Sequence, residues 1–277
     1  MIKPLTRWLT RGAQSEIHAD YLRRHRLRDW GVGIARAAIL ILFVAGWEVS
    51  ARQGWIDPFL FSSPTRVWEL FLEMTAKGEL FHHIGITVSE TVLGFILGTA
   101  AGTALATLIW ASPFLSRVLD PYLVILNSLP KVALGPLFIV TIGAGFGSIL
   151  AMGVAITVII TTLVMYNSFQ GVDPDYLRLA RAFGANRFQL FSRIIFPASI
   201  PDLIAALKVN VGLSWVGVIV GEFLVSKNGL GYLIIYGFQV FNLTLVMMSL
   251  LIVAVLATLM YDMVSRMEKR LLRHRNT

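Results

Sequence analysis

The 277-residue sequence contains no cysteine. This absence excludes disulfide bonds, thiolate metal sites and a cysteine nucleophile. Charged side chains are also scarce, at 14% of the chain against roughly 25% in an ordinary soluble domain. Apolar residues account for 56% of the chain, which leaves too few polar side chains to cover a water-exposed surface. The composition therefore predicts an integral membrane protein.

Motifs for catalysis and cofactor binding are missing as well. No phosphate-cradling Gly-x4-Gly-Lys-Ser/Thr motif occurs, so we expect this chain not to bind ATP itself. No nucleophile–base arrangement is present, and the sequence predicts neither enzyme activity nor a cofactor. The histidines lack the spacing of a metal site, and the adjacent pair is expected at the membrane interface. These histidines are His18, His25, His82, His83 and His274.

The net charge of +8 does not predict nucleic-acid binding. Basic residues flank the apolar segments instead of forming one basic face interleaved with aromatic residues. About thirty polar and basic residues precede the first apolar run, and no small-residue cleavage site follows it, so no standard signal peptide is expected.

Six apolar segments are long enough to cross the hydrocarbon core, which takes ~20 helical residues. The spans are predicted at about 32–51, 86–110, 118–142, 146–168, 200–223 and 243–263. Amphipathic spacing predicts a further helix, lying in the interface, at 65–84. The expected fold is therefore an all-α membrane protein.

Two of the spans have unusual sequences. Gly94, Gly98 and Gly102 share one face of the second span and would let another helix approach closely. The third span is interrupted by Pro130, Lys131 and Pro136. Such a break is tolerated at membrane depth where the segment faces protein or a water-filled cavity.

An even number of spans places both termini on one side of the membrane. The chain is thereby divided into a basic segment 1–31, a membrane domain 32–265 and a basic tail 266–277. If the termini are cytoplasmic, most arginines face the cytoplasm, as the positive-inside rule requires. We therefore predict a multi-pass bacterial cytoplasmic-membrane protein with both termini inside.

A charged stretch at 171–201 stands between the fourth and fifth spans and is predicted to lie in the cytoplasm. Asp173 is expected to cap a helix that has Pro174 at its first position, and Gly184 to end that helix. Asn186 and Gln189 form a capping pair for a second helix. A helical hairpin of this kind predicts a docking surface for a partner. Its basic residues are Arg178, Arg181, Arg187 and Arg193.

The 171–201 segment resembles the motif of ABC importer permeases, written EAA–G–(nine residues)–I–x–L–P. Gly184, Ile194, Phe196 and Pro197 match it in spacing, although phenylalanine stands in place of the leucine. Arg178-Leu179-Ala180 stands where the motif has Glu-Ala-Ala. Four further stretches resemble the branch that imports nitrate, sulfonates and related nutrients: 78–80, 94–95, 128–131 and 229–232.

The resemblance implies the transmembrane subunit of an ATP-driven importer, in which this segment docks on a separate ATPase. It carries that role to Ala180, Gly184, Ile194 and Pro197, and the charge argument adds Arg181 and Arg187. For each arginine, anchoring on anionic lipid remains open.

The further partners implied are an extracytoplasmic binding protein and a second copy of the chain, since each chain has a single docking segment. The expected substrate is a small anion such as a sulfonate or nitrate, or a vitamin precursor. The alternatives are a secondary transporter driven by an ion gradient, which would show paired carboxylates near the midplane, and a membrane-integral enzyme.

Four residues of the fifth span are candidates for the substrate path: Lys208, Ser214, Trp215 and Glu222. Lys208 is expected about 12 Å along the helix, where it either faces a cavity or snorkels to the interface. Glu222 is expected near the outer end, as a gate or in a structural ion pair. Lys131 is expected to satisfy backbone groups or to form a pair.

Overall fold

The computed structural model describes residues 16–272, and all secondary structure in that range is helical. Residues 1–15 of the predicted basic segment, and residues 273–277 of the predicted tail with His274, lie outside the described residues. The helices are α1 (Glu16–Arg52), α2 (Pro58–Phe61), α3 (Pro64–Ala76), α4 (Glu79–Ala111), α5 (Pro113–Ser128), α6 (Gly135–Ile142), α7 (Phe146–Gln170), α8 (Pro174–Ala182), α9 (Arg187–Leu190), α10 (Phe196–Ala198), α11 (Ile200–Val225), α12 (Leu230–Gln239) and α13 (Leu243–Leu272).

Five helices, α1, α4, α7, α11 and α13, are long and apolar enough to cross a membrane. The third predicted span, at 118–142, corresponds to α5 followed by the helical stretch 131–142, and the two parts meet at an angle of 94°. The break falls at Leu129 and Pro130, as the proline predicts. Beside it, Lys131 Nζ donates a hydrogen bond to the carbonyl of Asn127 at 2.7 Å, which satisfies one backbone acceptor that the break frees.

The first predicted span, at 32–51, lies within a longer helix that begins at Glu16, because residues 16–30 contain no glycine or proline to interrupt it. One predicted boundary is wrong. The interfacial helix ends at Ala76, where 84 was predicted, because Gly78 adopts a left-handed conformation with φ of 77°. Residues from Glu79 onward belong to α4.

The chain divides into two compact units, with the division along the sequence between Val67 and Trp68. In the first unit, Glu48 of α1 joins the end of its own helix to the start of α3. Its carboxylate accepts hydrogen bonds from Arg52 Nε at 2.6 Å and from the hydroxyl and backbone N–H of Thr65 at 2.7 and 3.1 Å. Asp57 caps α2 through the N–H of Phe59 at 2.8 Å.

The core of the second unit is formed by α4, α7 and α11, which pack backbone to backbone through glycine. A Cβ at Gly98 would overlap the Thr157 hydroxyl of α7, and one at Gly102 would lie 2.6 Å from Cβ of Thr161. A Cβ at Gly217 of α11 would lie 2.9 Å from the Cα of Gly153 in α7. The predicted glycine face of the second span is thus confirmed as a site of close helix packing.

Polar side chains also form hydrogen bonds between the three core helices. Asn210 of α11 is fully buried and donates through Nδ2 to the hydroxyls of Thr99 on α4 and Thr161 on α7, at 3.0 and 2.6 Å. Thr162 donates to the carbonyl of Gly102 at 3.2 Å. Hydrogen bonds between helices are favoured in lipid because an unmade one leaves a polar group in hydrocarbon.

The packing predicts that Gly98→Ala destabilises the protein by about 1–3 kcal/mol, the usual cost of overpacking. Thermal unfolding in detergent, followed by size-exclusion chromatography, measures the effect. Gly85→Ala is the matched control, because it lies in the same helix and its Cβ would meet nothing within 4 Å. Equal melting temperatures for the two variants would contradict the packing argument.

Candidate functional site

The 171–201 segment begins with the predicted cap. Asp173 accepts a hydrogen bond from the N–H of Asp175 at 2.9 Å, and Pro174 opens α8. Arg178 forms an exposed ion pair with Asp175 at 3.2 Å. The arginine that replaces the glutamate of the family motif therefore has a partner within its own helix.

Gly184 ends α8 by a left-handed turn with φ of 79°. Its N–H donates to the carbonyl of Arg181 at 2.9 Å, and the next N–H, of Ala185, donates to the carbonyl of Ala180 at 3.0 Å. This pair of bonds is the Schellman motif, which favours glycine at the left-handed position. Ala180 is therefore bonded through the backbone to Ala185, the residue after Gly184. A Cβ at Gly184 would meet nothing within 4 Å, so the turn needs glycine for its conformation and not for space.

A second helical stretch follows the turn. Asn186 and Gln189 form the predicted capping box, with reciprocal bonds of 2.8 and 2.9 Å. The backbone then passes through a π-helical stretch, Phe191–Ile195, into α10 and α11. Ile195 is buried and Ile194 half-buried, while Pro197 lies in the first turn of α10, where a missing N–H costs nothing.

Phe191 anchors the segment to the membrane helices. Its ring lies 5.1 Å from that of Trp110 at the end of α4 and 5.3 Å, edge to face, from that of Phe169 in α7. Ile195 belongs to the same buried cluster, against which Leu177 of α8 also packs. One side of the hairpin is thus fixed to the ends of two core helices.

The hairpin also exposes large apolar side chains. Tyr176, Leu179 and Phe183 follow helical spacing along α8, and Phe188 lies beyond the turn. Phe183 and Phe188 are 82% and 76% exposed. Sequence reasoning named the arginines and missed these residues, although the spacing of 176, 179 and 183 was visible. A row of exposed aromatic residues on a short helix is typical of an interaction surface.

Two of the predicted basic residues line a cavity beside this surface. Arg181 and Arg187 border a space of about 360 Å³ between the hairpin and the junction of α4 and α5, together with Trp110 and Phe188. Neither arginine forms an ion pair with another residue in the described range 16–272, so both remain available to an acidic partner.

The four candidate residues of the substrate path do not share one cavity. Lys208 Nζ lies 2.5 Å from Glu268 Oε2 of α13, and each side chain is about a quarter exposed, at 24% and 25%. Lys208 also borders an open cavity of about 320 Å³ between α11 and α13. Of the four residues, only Lys208 lines that cavity.

Ser214 and Trp215 lie inside the subunit. The Ser214 hydroxyl donates to the carbonyl of Val211 at 3.0 Å, as serine often does within a helix. Trp215 packs with Val211 of its own helix and Val264 of α13, and its indole N–H has no hydrogen-bond partner within the described chain.

Glu222 is fully buried, and its partners are hydrogen-bond donors. The Thr87 hydroxyl of α4 donates to Oε1 at 2.7 Å, and the N–H of Gly231 at the start of α12 donates to Oε2 at 2.5 Å. The predicted ion pair does not form with any described residue. Instead, the Glu222 carboxyl contacts that of Glu90 on α4. Sequence reasoning found no paired carboxyls, because these two are brought together by helices far apart in the chain.

No group of three or more histidine, aspartate or glutamate side chains in residues 16–272 is placed to hold a metal ion. Within the adjacent histidine pair, His83 accepts a hydrogen bond through Nδ1 from the N–H of Gly229 at 2.9 Å. Its ring stacks on that of Tyr232, with the centroids 6.0 Å apart. The role visible for this histidine is therefore structural.

Comparison with known protein families matches residues 93–273, more than half of the chain, to the family of the binding-protein-dependent transport system inner membrane component. The chain belongs to this family. The resemblance seen in the 171–201 segment is thereby confirmed, and the protein is the membrane-spanning permease subunit of a transport system.

Relatives extend the match to most of the permease. A protein of Bacillus subtilis (strain 168), provisionally named aliphatic sulfonates transport permease protein SsuC, is 31% identical over 96% of this chain and 96% of its own. The formylaminopyrimidine transport permease protein ThiX of Halalkalibacterium halodurans is 29% identical over 69% of this chain and 76% of its own. Both relatives are named as transport permeases.

A solved structure shows the same fold. A bacterial ABC transporter involved in the import of the acidic polysaccharide alginate matches 90% of the permease and 99% of its own chain, with a TM-score of 0.64 and 15% identity. The predicted all-α membrane fold is therefore confirmed.

The ion pair between α11 and α13 separates two roles of Lys208. Lys208→Glu would place two carboxylates together and is expected to destabilise the permease by about 1 kcal/mol, whereas Lys208→Glu with Glu268→Lys should restore stability. Melting temperature and substrate uptake are measured for both variants. If Lys208 only joins the helices, the exchange restores uptake as well. Restored stability without uptake would instead assign Lys208 to the substrate path.

Proposed function

We propose that this permease forms the translocation path of an ATP-driven importer and is driven by an ATPase that docks on the 171–201 segment. The observation that carries the proposal is a hairpin that is fixed to the core and also exposes large side chains. Phe191 packs on α4 and α7, Phe183 and Phe188 are exposed, and Arg181 and Arg187 form no ion pair within residues 16–272.

This arrangement fits mechanical coupling. Aromatic and arginine side chains are those most enriched at the centres of protein interfaces. A partner seated on Phe183 and Phe188 would move α8, and the aromatic contacts of Phe191 would pass that motion to the core helices. The chain itself has no phosphate-binding loop, so the nucleotide would be bound by the ATPase. ATP is thus a ligand of the partner and not of the permease.

The remaining subunits follow from the same reasoning. Each chain offers one docking segment, so we propose that two copies assemble and that each receives one ATPase. An extracytoplasmic binding protein would deliver the substrate, which agrees with the family to which the chain belongs.

The positive-inside rule supports an orientation with the termini and the 171–201 segment in the cytoplasm of a bacterial cell. The start of α4, the end of α11 and the start of α12 would then lie at the outer side. Labelling of single introduced cysteines by a membrane-impermeant reagent tests this orientation.

The substrate is proposed to be a small organic anion such as a sulfonate. The similarity to a sulfonate permease over nearly the whole chain supports this class, and the similarity to the pyrimidine permease favours a vitamin precursor as the second candidate. Ser214 and Trp215 are buried within the subunit and Glu222 is occupied by hydrogen bonds, so among the predicted path residues Lys208 retains the strongest case for contacting an anion.

The docking proposal predicts that Gly184→Asp leaves the permease folded and inserted but abolishes ATPase co-purification from native membranes and substrate-stimulated ATP hydrolysis in vesicles. Aspartate tolerates a left-handed backbone and meets no neighbour within the subunit, while its charge and bulk would stand at the docking surface. The loss of coupled hydrolysis is expected to exceed ~10-fold, as for a central interface residue.

Gly78→Asp is the matched control. Gly78 directly precedes α4 and has φ of 77°, and a Cβ there would also meet nothing within 4 Å. It should keep the ATPase bound. If Gly184→Asp co-purifies with the ATPase and hydrolyses ATP like the control, the docking assignment is wrong. Uptake that persists without ATP and collapses with the ion gradient would favour a secondary transporter.

A further inference from the structure

A pair of buried carboxyl groups lies where α4, α11 and the start of α12 meet. Glu90 is 2% exposed and Glu222 is fully buried, and the two carboxyls are within hydrogen-bonding reach of each other. In the described range 16–272, no lysine, arginine or histidine forms an ion pair with either. Two carboxylates in contact without a cation would repel each other strongly at this depth.

The donors around the pair are distributed unequally. Glu222 accepts from the Thr87 hydroxyl and from the N–H of Gly231. Both are donors, so they match an acceptor-only group, which is an ionised carboxylate. The negative charge would also face the start of α12, where the N–H groups of the first turn carry partial positive charge.

Glu90 is not surrounded by hydrogen-bond donors in this way. Its Oε2 atom is buried and has no hydrogen-bond partner among the described residues, and its carboxyl contacts that of Glu222. An ionised Glu90 would be a buried charge without a donor. A hydrogen bond between two carboxyl groups requires that one of them hold a proton. The distribution of hydrogen-bond donors around the two carboxyl groups therefore places the negative charge on Glu222 and the proton on Glu90.

We propose that Glu90 carries a proton and donates it in a hydrogen bond to Glu222, which as an ionised acceptor fixes the start of α12 to α4 and α11. The permease would thus contain a bound proton where α4, α11 and α12 meet. The proposal concerns the resting structure and is independent of the substrate and of the ATPase.

Glu222 and its neighbours bind the backbone N–H groups at the start of α12. Three successive N–H groups at the start of α12 bind side chains of other helices: Gly229 binds His83 Nδ1 at 2.9 Å, Leu230 binds the Thr87 hydroxyl at 2.7 Å, and Gly231 binds Glu222 at 2.5 Å. A Cβ at Gly231 would lie 2.7 Å from Glu222 Oε2, so only glycine lets the carboxylate reach the backbone. Thr87 links the two sets of bonds, since it accepts from Leu230 and donates to Glu222.

Hydrogen–deuterium exchange of the full-length permease in detergent tests the assignment, because it reads the N–H groups of residues 229–232 directly. Glu222→Gln replaces one acceptor oxygen with an amide that donates, so exchange of these N–H groups should accelerate at least ~10-fold, the effect of losing a charge-assisted hydrogen bond. Glu90→Gln keeps a donor opposite Glu222 and should leave exchange within about threefold of wild type.

Matched variants keep the experiment decisive. Glu69→Gln on exposed α3 should change nothing at residues 229–232. Thr87→Val should accelerate exchange and Thr87→Ser should restore it, and this pair decides the matter if Glu222→Gln does not fold. Unchanged exchange in Glu222→Gln, equal acceleration in both glutamine variants, or identical behaviour of the two Thr87 variants would each overturn the proposal.

Discussion

The close approach of three helix backbones is the constraint on which the rest of the second unit depends. Lipid tails are as apolar as leucine, so burial of apolar side chains gives little drive for helices to associate within a membrane. Association must come from backbone proximity and from hydrogen bonds between helices. Glycine on α4 and α11 lets both helices reach α7, and Asn210 bridges two of them. These contacts form only where glycine, which has no side chain, stands at the contact point. The helices α4, α7 and α11 therefore have little freedom to slide past one another.

The 171–201 segment inherits its rigidity from that packing. The chain leaves the core through α7 and returns to it through α11, and Phe191 is held between the ends of α4 and α7. The hairpin is therefore not a flexible loop but an extension of the core into the proposed docking surface. Beyond the core, the ion pair of Lys208 and Glu268 ties α11 to α13, so motion of α11 would also reach the last helix.

Local patterns in the sequence predicted local structure well. The caps at Asp173 and Asn186, the turn at Gly184 and the break at Pro130 each depend on neighbours within a few residues, and all four are confirmed. Features that depend on distant residues could not be predicted. The contact of Glu90 with Glu222 and the pairing of Lys208 with Glu268 join separate helices, and a single sequence contains no signal for either. The helix start at Glu16 was missed because hydropathy marks where a membrane begins and not where a helix begins.

The π-helical stretch Phe191–Ile195 lies between Gly184 and Pro197 and influences how the hairpin is rotated relative to α11. An α-helix turns about 100° per residue, and a π turn takes up one residue more than an α turn. If this stretch became ordinary α-helix without a change in residue number, the hairpin would rotate by roughly that angle about the axis of α11. Phe183 and Phe188 would then point in a different direction relative to the core helices. The nine-residue spacing in the family motif therefore bears on the direction of the hairpin as well as on its distance from α11.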